Sequence, residues 1–138
     1  MRLWHIDLIP YLPKSQLLAQ WRELNSIFKK QDKHILINYI YDYGKYELRN
    51  YSREIISEMQ ARGYYVNVKN YQDYFLSLGA DFYNDYTPRF AEHNYEYLTI
   101  CYYNLKEKYL RKQKDFTKEI WEKLDNFYKG VKNENNIH

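Results

Sequence analysis

The chain is poor in the residues that mark several protein classes. It has one cysteine, Cys101, among 138 residues, so an internal disulfide is impossible and a cysteine-based zinc site lacks ligands. That usage fits a reducing compartment, and a cytoplasmic location is expected. Four glycines leave no glycine-rich loop to cradle a nucleotide phosphate. Asp7, Pro10 and Pro13 interrupt the start of the chain, so the charged-then-apolar pattern of a secretory leader is missing. No run of about 18 apolar residues is present to span a membrane. His5, His34 and His93 stand in no metal-ligand spacing, and neither a metal nor a cofactor is expected. The net charge of +3 is too small to imply a nucleic-acid partner by itself.

Tyrosine is abundant instead, at 18 residues. Most are expected to fill the core and the half-buried surface, and the sharper reading is stacking on unpaired bases. The length suits a single domain with a sizeable core, and the pattern along it is mainly helical. Leu17, Leu18, Trp21, Leu24 and Phe28 recur at helical spacing in segment 13–29, with Pro13 suited to the first turn. Segment 46–62 carries Leu48, Tyr51, Ile55, Ile56 and Met59 and stops at Gly63. Asn70 is a candidate cap for a short helix closed by Gly79. Segment 93–112 places Tyr97, Leu98, Cys101, Tyr102, Leu105 and Tyr109 on one face. A last helix, about 117–128, with Asp115 or Thr117 as its cap, uses Ile120, Trp121, Leu124, Phe127 and Tyr128.

The run Ile35 to Tyr43 is rich in strand-forming residues. Val66-Asn67-Val68 is too short to be its partner, so both are expected to be connections in an all-α domain spanning 1–129. A polar, frayed tail is expected over 130–138. His93, Tyr97 and Cys101 follow at i, i+4, i+8, which reads as a core stripe with one satisfied histidine rather than a nucleophile pair. Lys29, Lys30, Lys33 and His34 form one basic patch. Lys106, Lys108, Arg111, Lys112, Lys114 and Lys118 form another. Each reads either as a solvated helix end or as a phosphate contact.

On a helical wheel Leu17, Trp21, Leu24 and Phe28 fall together. Glu23 lies roughly opposite them, with Gln16 and Gln20 on its side, and Arg22 sits between the stripe and Ser26. The expected picture is one cation and one carboxylate on a solvent-facing surface. The first dozen residues are long enough to bring the chain's own α-amine back to them, and an amine beside a carboxylate can attack an aldehyde-like sugar carbon without metal or cofactor.

Leu12, Leu17, Ala19, Arg22, Glu23, Leu24, Phe28, Lys33 and His34 stand at the spacing of the first helix of the endonuclease V family of pyrimidine-dimer DNA glycosylases. Met1-Arg2-Leu3-Trp4-His5 and Leu8-Ile9-Pro10-Tyr11-Leu12-Pro13 resemble the start of its bacterial branch. Weaker likenesses follow: Glu54-Ile55-Ile56-x-Glu58 with Arg62-Gly63-Tyr64 for the second family helix, and Asp85-Tyr86-x-Pro88 with His93, Tyr97, Cys101, Asn104 and Leu105 for the third. The resemblance touches roughly residues 1–108. It implies a compact all-α domain of three main helices, around 14–29, 46–62 and 93–110, plus short helices, with the N-terminal arm lying against them.

The resemblance also implies an activity: a DNA glycosylase with associated abasic-site lyase action on double-stranded DNA, with pyrimidine dimers or abasic sites as lesions. Glu23 matches the family's catalytic glutamate and Arg22 its phosphate-holding arginine. The nucleophile is expected to be the α-amine of Met1, since methionine is normally removed only before small residues and Arg2 follows here. DNA contacts are expected from Arg2, Gln16, Arg22, Lys33, His34 and Lys112. Three departures from the phage pattern stand beside this. Arg2 replaces a small second residue, Ser26 stands where the family has an arginine, and the second helix and C-terminal part match poorly. A non-catalytic DNA-binding or damage-recognition module of the same fold is the alternative. A helical protein-interaction module is a third class, separated from both by having no affinity for DNA.

Overall fold

A computed structural model describes residues 1–79 and 89–137. The stripe at 17, 21, 24 and 28 becomes helix α1, Lys14–Lys30, with Leu17, Leu24 and Ile27 fully buried. Burial of each such side chain contributes roughly 1.5–3 kcal/mol. Truncating Leu24 to alanine is expected to cost about 2–5 kcal/mol, from the missing packing and the cavity left behind. Pro13 stands at the N-cap rather than inside the first turn, and its carbonyl accepts the Leu17 N–H.

Helix α2 spans Lys45–Ala61. It closes as a Schellman motif: the Tyr64 N–H reaches the Met59 carbonyl and the Gly63 N–H the Gln60 carbonyl. Gly63 takes φ +86° there, which only glycine adopts without steric cost. Helix α3 is short, Lys69–Tyr74, and is followed by a 3-10 turn that Gly79 ends. Asn70 is not its cap but lies inside it, where its amide donates to Asn25 Oδ1 at 2.9 Å. Val68 stands at the N-cap without a side-chain bond, and Asn67 before it accepts the Lys69 N–H at 3.1 Å in a local turn.

Helix α4, Tyr95–Leu110, starts at an Asn94 cap that accepts the Tyr97 N–H. His93 therefore precedes the helix, yet its ring still packs 5.1 Å from that of Tyr97. Helix α5 is Lys118–Ile137, with Thr117 Oγ1 accepting the Ile120 N–H. The expected end near 128 and the frayed tail are corrected here: the helix runs on to Ile137. A Lys129–Asp125 ion pair at 2.8 Å one turn apart and Val131, packed on the core, carry it past Gly130.

Among the described residues there is no strand. The Ile35–Tyr43 run is a turn followed by a 3-10 helix, Asn38–Asp42, because without a partner strand its backbone groups must bond locally. Helix α1 packs against α2 and α3, and α5 against α4. The Tyr102 and Tyr128 rings stack at 3.9 Å between the last two helices. The N-terminal arm lies on this framework as expected: its 3-10 turn, Ile6–Tyr11, packs on both α2 and α5. Asp85, Tyr86 and Pro88 lie outside the described residues. No helix among those described is long and apolar enough to cross a membrane.

Candidate active site

An arm of a dozen residues has no regular secondary structure to fix its start, so its backbone groups need other partners. Side chains supply them. Gln20, on α1 and 1 % exposed, accepts the Trp4 N–H on Oε1 at 2.8 Å. Its Nε2 donates to the Arg2 carbonyl at 3.1 Å and to Glu23 Oε2 at 3.2 Å. The Tyr51 hydroxyl, from α2, shares its proton between the Trp4 carbonyl at 2.7 Å and Gln20 Oε1 at 3.0 Å. From α4, the Tyr97 hydroxyl donates to the Leu3 carbonyl. Further along, the Ile6 N–H donates to His93 Nδ1 at 3.2 Å.

The His93 ring is neutral. Burial pushes its pKa down to about 3, and the neighbouring His5 and Arg89 push the same way. With Nδ1 accepting, the proton sits on Nε2, 2.8 Å from the Tyr39 hydroxyl. His93 is thus a satisfied core histidine. The Cys101 thiol is buried and its pKa raised, chiefly by that burial, which disfavours the thiolate a nucleophile needs.

Glu23 is half-buried rather than solvent-facing, because the arm folds over its side of α1. That burial raises its pKa above the ordinary carboxylate value. The Met1 ammonium and the Arg22 guanidinium are near enough to pull it back part of the way. A carboxyl group whose pKa is raised in this way is better matched to giving and taking protons than an ordinary exposed carboxylate. The N-terminal ammonium is thus within electrostatic reach of Glu23, and Met1 is exposed at the surface.

The pyrimidine dimer DNA glycosylase family model matches residues 1–72, which is the arm, α1, α2 and the start of α3. The chain belongs to that family. Comparison with curated proteins and with solved structures finds no match. Membership makes it a DNA repair glycosylase by descent and gives it a DNA substrate. The match contains Met1, Gln20, Glu23 and Tyr51, whereas Tyr97 and His93, which hold the same arm, lie beyond it.

The residues expected to contact DNA are only partly gathered. Arg22 is exposed and lines two grooves at once. One, of about 480 Å³, includes Lys14 and Lys114. The other, of about 460 Å³, includes Lys29, Lys30, Asn25 and Asn67. A cationic track thus follows the outer side of α1 from Lys14 to Lys30, for about 24 Å at 1.5 Å per residue. Gln16 is buried, and its amide is closed on Gln113 in a reciprocal pair of 2.9 and 2.8 Å. Arg2 is half-buried, its guanidinium 6.0 Å from the Trp4 ring and 5.9 Å from the Tyr97 ring. Lys33 and His34 lie past the end of α1. The Lys33 ammonium is 5.3 Å from the Tyr41 ring, and His34 Nδ1 accepts the Leu36 N–H. Lys112 is exposed just after α4.

Asp115, one of the two candidate caps for α5, caps α1 instead: it accepts the Ser15 N–H at 2.7 Å and the Ser15 hydroxyl at 2.8 Å. Burial raises its pKa, but these bonds outweigh it and hold the carboxyl below its ordinary value. Helical periodicity puts Gln20 on the Glu23 side and Tyr51 in a core stripe, and by itself assigns neither a part in the site. The signal available was the i, i+3 spacing of Gln20 and Glu23, which sets the two on one face.

Proposed function

We propose that the protein is a DNA glycosylase with coupled abasic-site lyase activity on damaged double-stranded DNA, with the Met1 amine as nucleophile and Glu23 as its proton-handling partner. The observation that carries this reading is the Glu23 carboxyl, half-buried under an arm that Gln20 holds at Arg2 and Trp4, within electrostatic reach of the chain's own N-terminus. In the neutral amine the nitrogen lone pair attacks C1′ of the damaged nucleotide. The new C–N bond replaces the glycosidic bond, whose electron pair leaves with the base and is protonated there. Glu23 stabilises positive charge on the sugar. It passes a proton to O4′ as the ring opens to the iminium. Loss of the C2′ proton then expels the 3′ phosphate by β-elimination and cuts the strand. Arg22, with Lys14, Lys114, Lys29 and Lys30, offers charge for the phosphates that position the strand. Arg2, Gln16, Lys33, His34 and Lys112 remain candidates for further contacts.

The alternative, a DNA-binding module that keeps the fold without the chemistry, rests on Arg2, which departs from the small residue at that place in the phage enzyme. Borohydride trapping on abasic duplex DNA separates the two. The expected result is a covalent adduct mapped to the N-terminal residue and abolished by acetylating the amine, since an amide nitrogen is not nucleophilic. Adducts confined to internal lysines, with a denatured control giving the same pattern, leave the binding module as the better reading.

A further inference from the structure

Gln20 is more than a core amide. We infer that it is a positioning residue, holding the N-terminal amine and the Glu23 carboxyl in one register. The inference rests on the proposed amine chemistry and adds to it the device that sets its geometry.

Both ends of the Gln20 amide are oriented by main-chain groups of fixed polarity. The Trp4 N–H only donates, so the atom facing it is Oε1. The Arg2 carbonyl only accepts, so the atom facing it is Nε2. A flipped amide opposes like with like at both contacts, and one orientation remains. In that orientation Gln20 presents its second N–H to Glu23. Oε1 is filled by Trp4 and Tyr51, and Nε2 by Arg2 and Glu23. The two main-chain bonds flank Leu3, as those of a neighbouring strand do. Sliding the arm by one residue breaks both at once, and the amine lies just beyond that grip.

The consequence for Glu23 is specific. A neutral donor holds one carboxylate oxygen in place and lowers its pKa less than a charged donor would, so part of the rise that burial gives is kept. A lysine or arginine there lowers that pKa, and an apolar residue leaves both the carboxyl and the arm unheld. Small displacements of a nucleophile from its partner cost large factors in rate. Gln20 is therefore expected to act on the chemical step and not on DNA affinity.

The test uses the full chain on abasic duplex DNA. Gln20→Glu changes one atom, keeps the Oε1 acceptor and removes both donations. Gln20→Asn keeps the amide but shortens its reach. The readouts are DNA affinity without borohydride, the single-turnover trapping rate at saturating DNA, and the pH dependence of that rate. Both variants are expected to bind within about twofold of wild type and to trap at least about tenfold more slowly. In Gln20→Glu the pH profile of trapping moves to higher pH, because Glu23 loses a donor and gains a like charge. Trapping at the wild-type rate, or equal losses of rate and affinity, overturns the inference. If neither variant folds, Tyr51→Phe decides, since it removes only the hydroxyl that braces Trp4 and Gln20. A trapping rate about threefold or more lower at unchanged affinity supports the inference, and an unchanged rate overturns it. Absence of any adduct with the wild-type chain overturns this inference together with the proposed function, whereas wild-type adducts with unimpaired variants overturn this inference alone.

Discussion

His93 Nδ1 accepts the backbone N–H of Ile6 at 3.2 Å, across 87 residues of sequence. The ring beneath this bond is stacked on His5 at 5.4 Å and neutral, with a pKa pushed down to about 3. An imidazolium has no lone pair to accept the Ile6 N–H, so protonation and this anchorage of the arm exclude each other.

Acid is therefore expected to destabilise the fold through His93. The unfolded chain takes up this proton near pH 6.5 and the folded chain only near 3. The contribution is complete above 6.5 and is lost as pH falls toward 3, to a limit on the order of 5 kcal/mol. His5, also lowered mainly by burial, adds to the same slope. Urea midpoints between pH 7 and 4 should fall for the wild-type chain and fall less for His93→Gln.

Glu23 has the opposite sign. Its folded pKa is raised, so its contribution is largest below the unfolded value and declines as pH rises through the folded one. Glu23→Gln is expected to leave stability at pH 7 unchanged or up to about 1 kcal/mol higher, because no charge is then buried. DNA affinity should hold while trapping slows by about 10²–10⁴-fold. Denaturation curves and single-turnover kinetics on one preparation check both halves.

Arg22 stands where two cationic grooves meet. Arg22→Ala should weaken duplex binding and flatten the plot of log affinity against log salt by about 0.9 for each phosphate no longer neutralised. Lys132→Ala, exposed near the end of α5, should leave both affinity and slope near wild type. Titrations at several salt concentrations measure this. Equal effects of the two substitutions count against the α1 track as the DNA face.

Lys112 adopts φ +62° after α4, where the Gln113 N–H reaches the Lys108 carbonyl and the Lys112 N–H the Tyr109 carbonyl. That is the position glycine fills after α2. Lys112→Gly should raise stability by about 0.5–1 kcal/mol, the relief of left-handed strain exceeding the added chain entropy of glycine. If Lys112 also meets phosphate, the same variant binds DNA less tightly at low salt.

Local chemistry settled much of this protein in its sequence. The helical stripes of α1, α2 and α4, and the stop at Gly63, follow from periodicity and from backbone freedom at one residue, which are properties of neighbours in the chain. Arg22 and Glu23 could be singled out as candidates for the same reason, as a matched spacing on one helix. Tertiary structure decided the rest. Asp115 left the start of α5 to cap α1, Asn70 turned from a cap into a partner for Asn25, and Val131 with the Asp125–Lys129 pair carried α5 through residues that read as a frayed tail. Most of all, the folding of the arm over α1 moved Glu23 out of solvent and made Gln20 and Tyr51 part of its surroundings. Those outcomes depend on hydrogen-bond partners tens of residues away and on water excluded by distant segments, which no local pattern encodes.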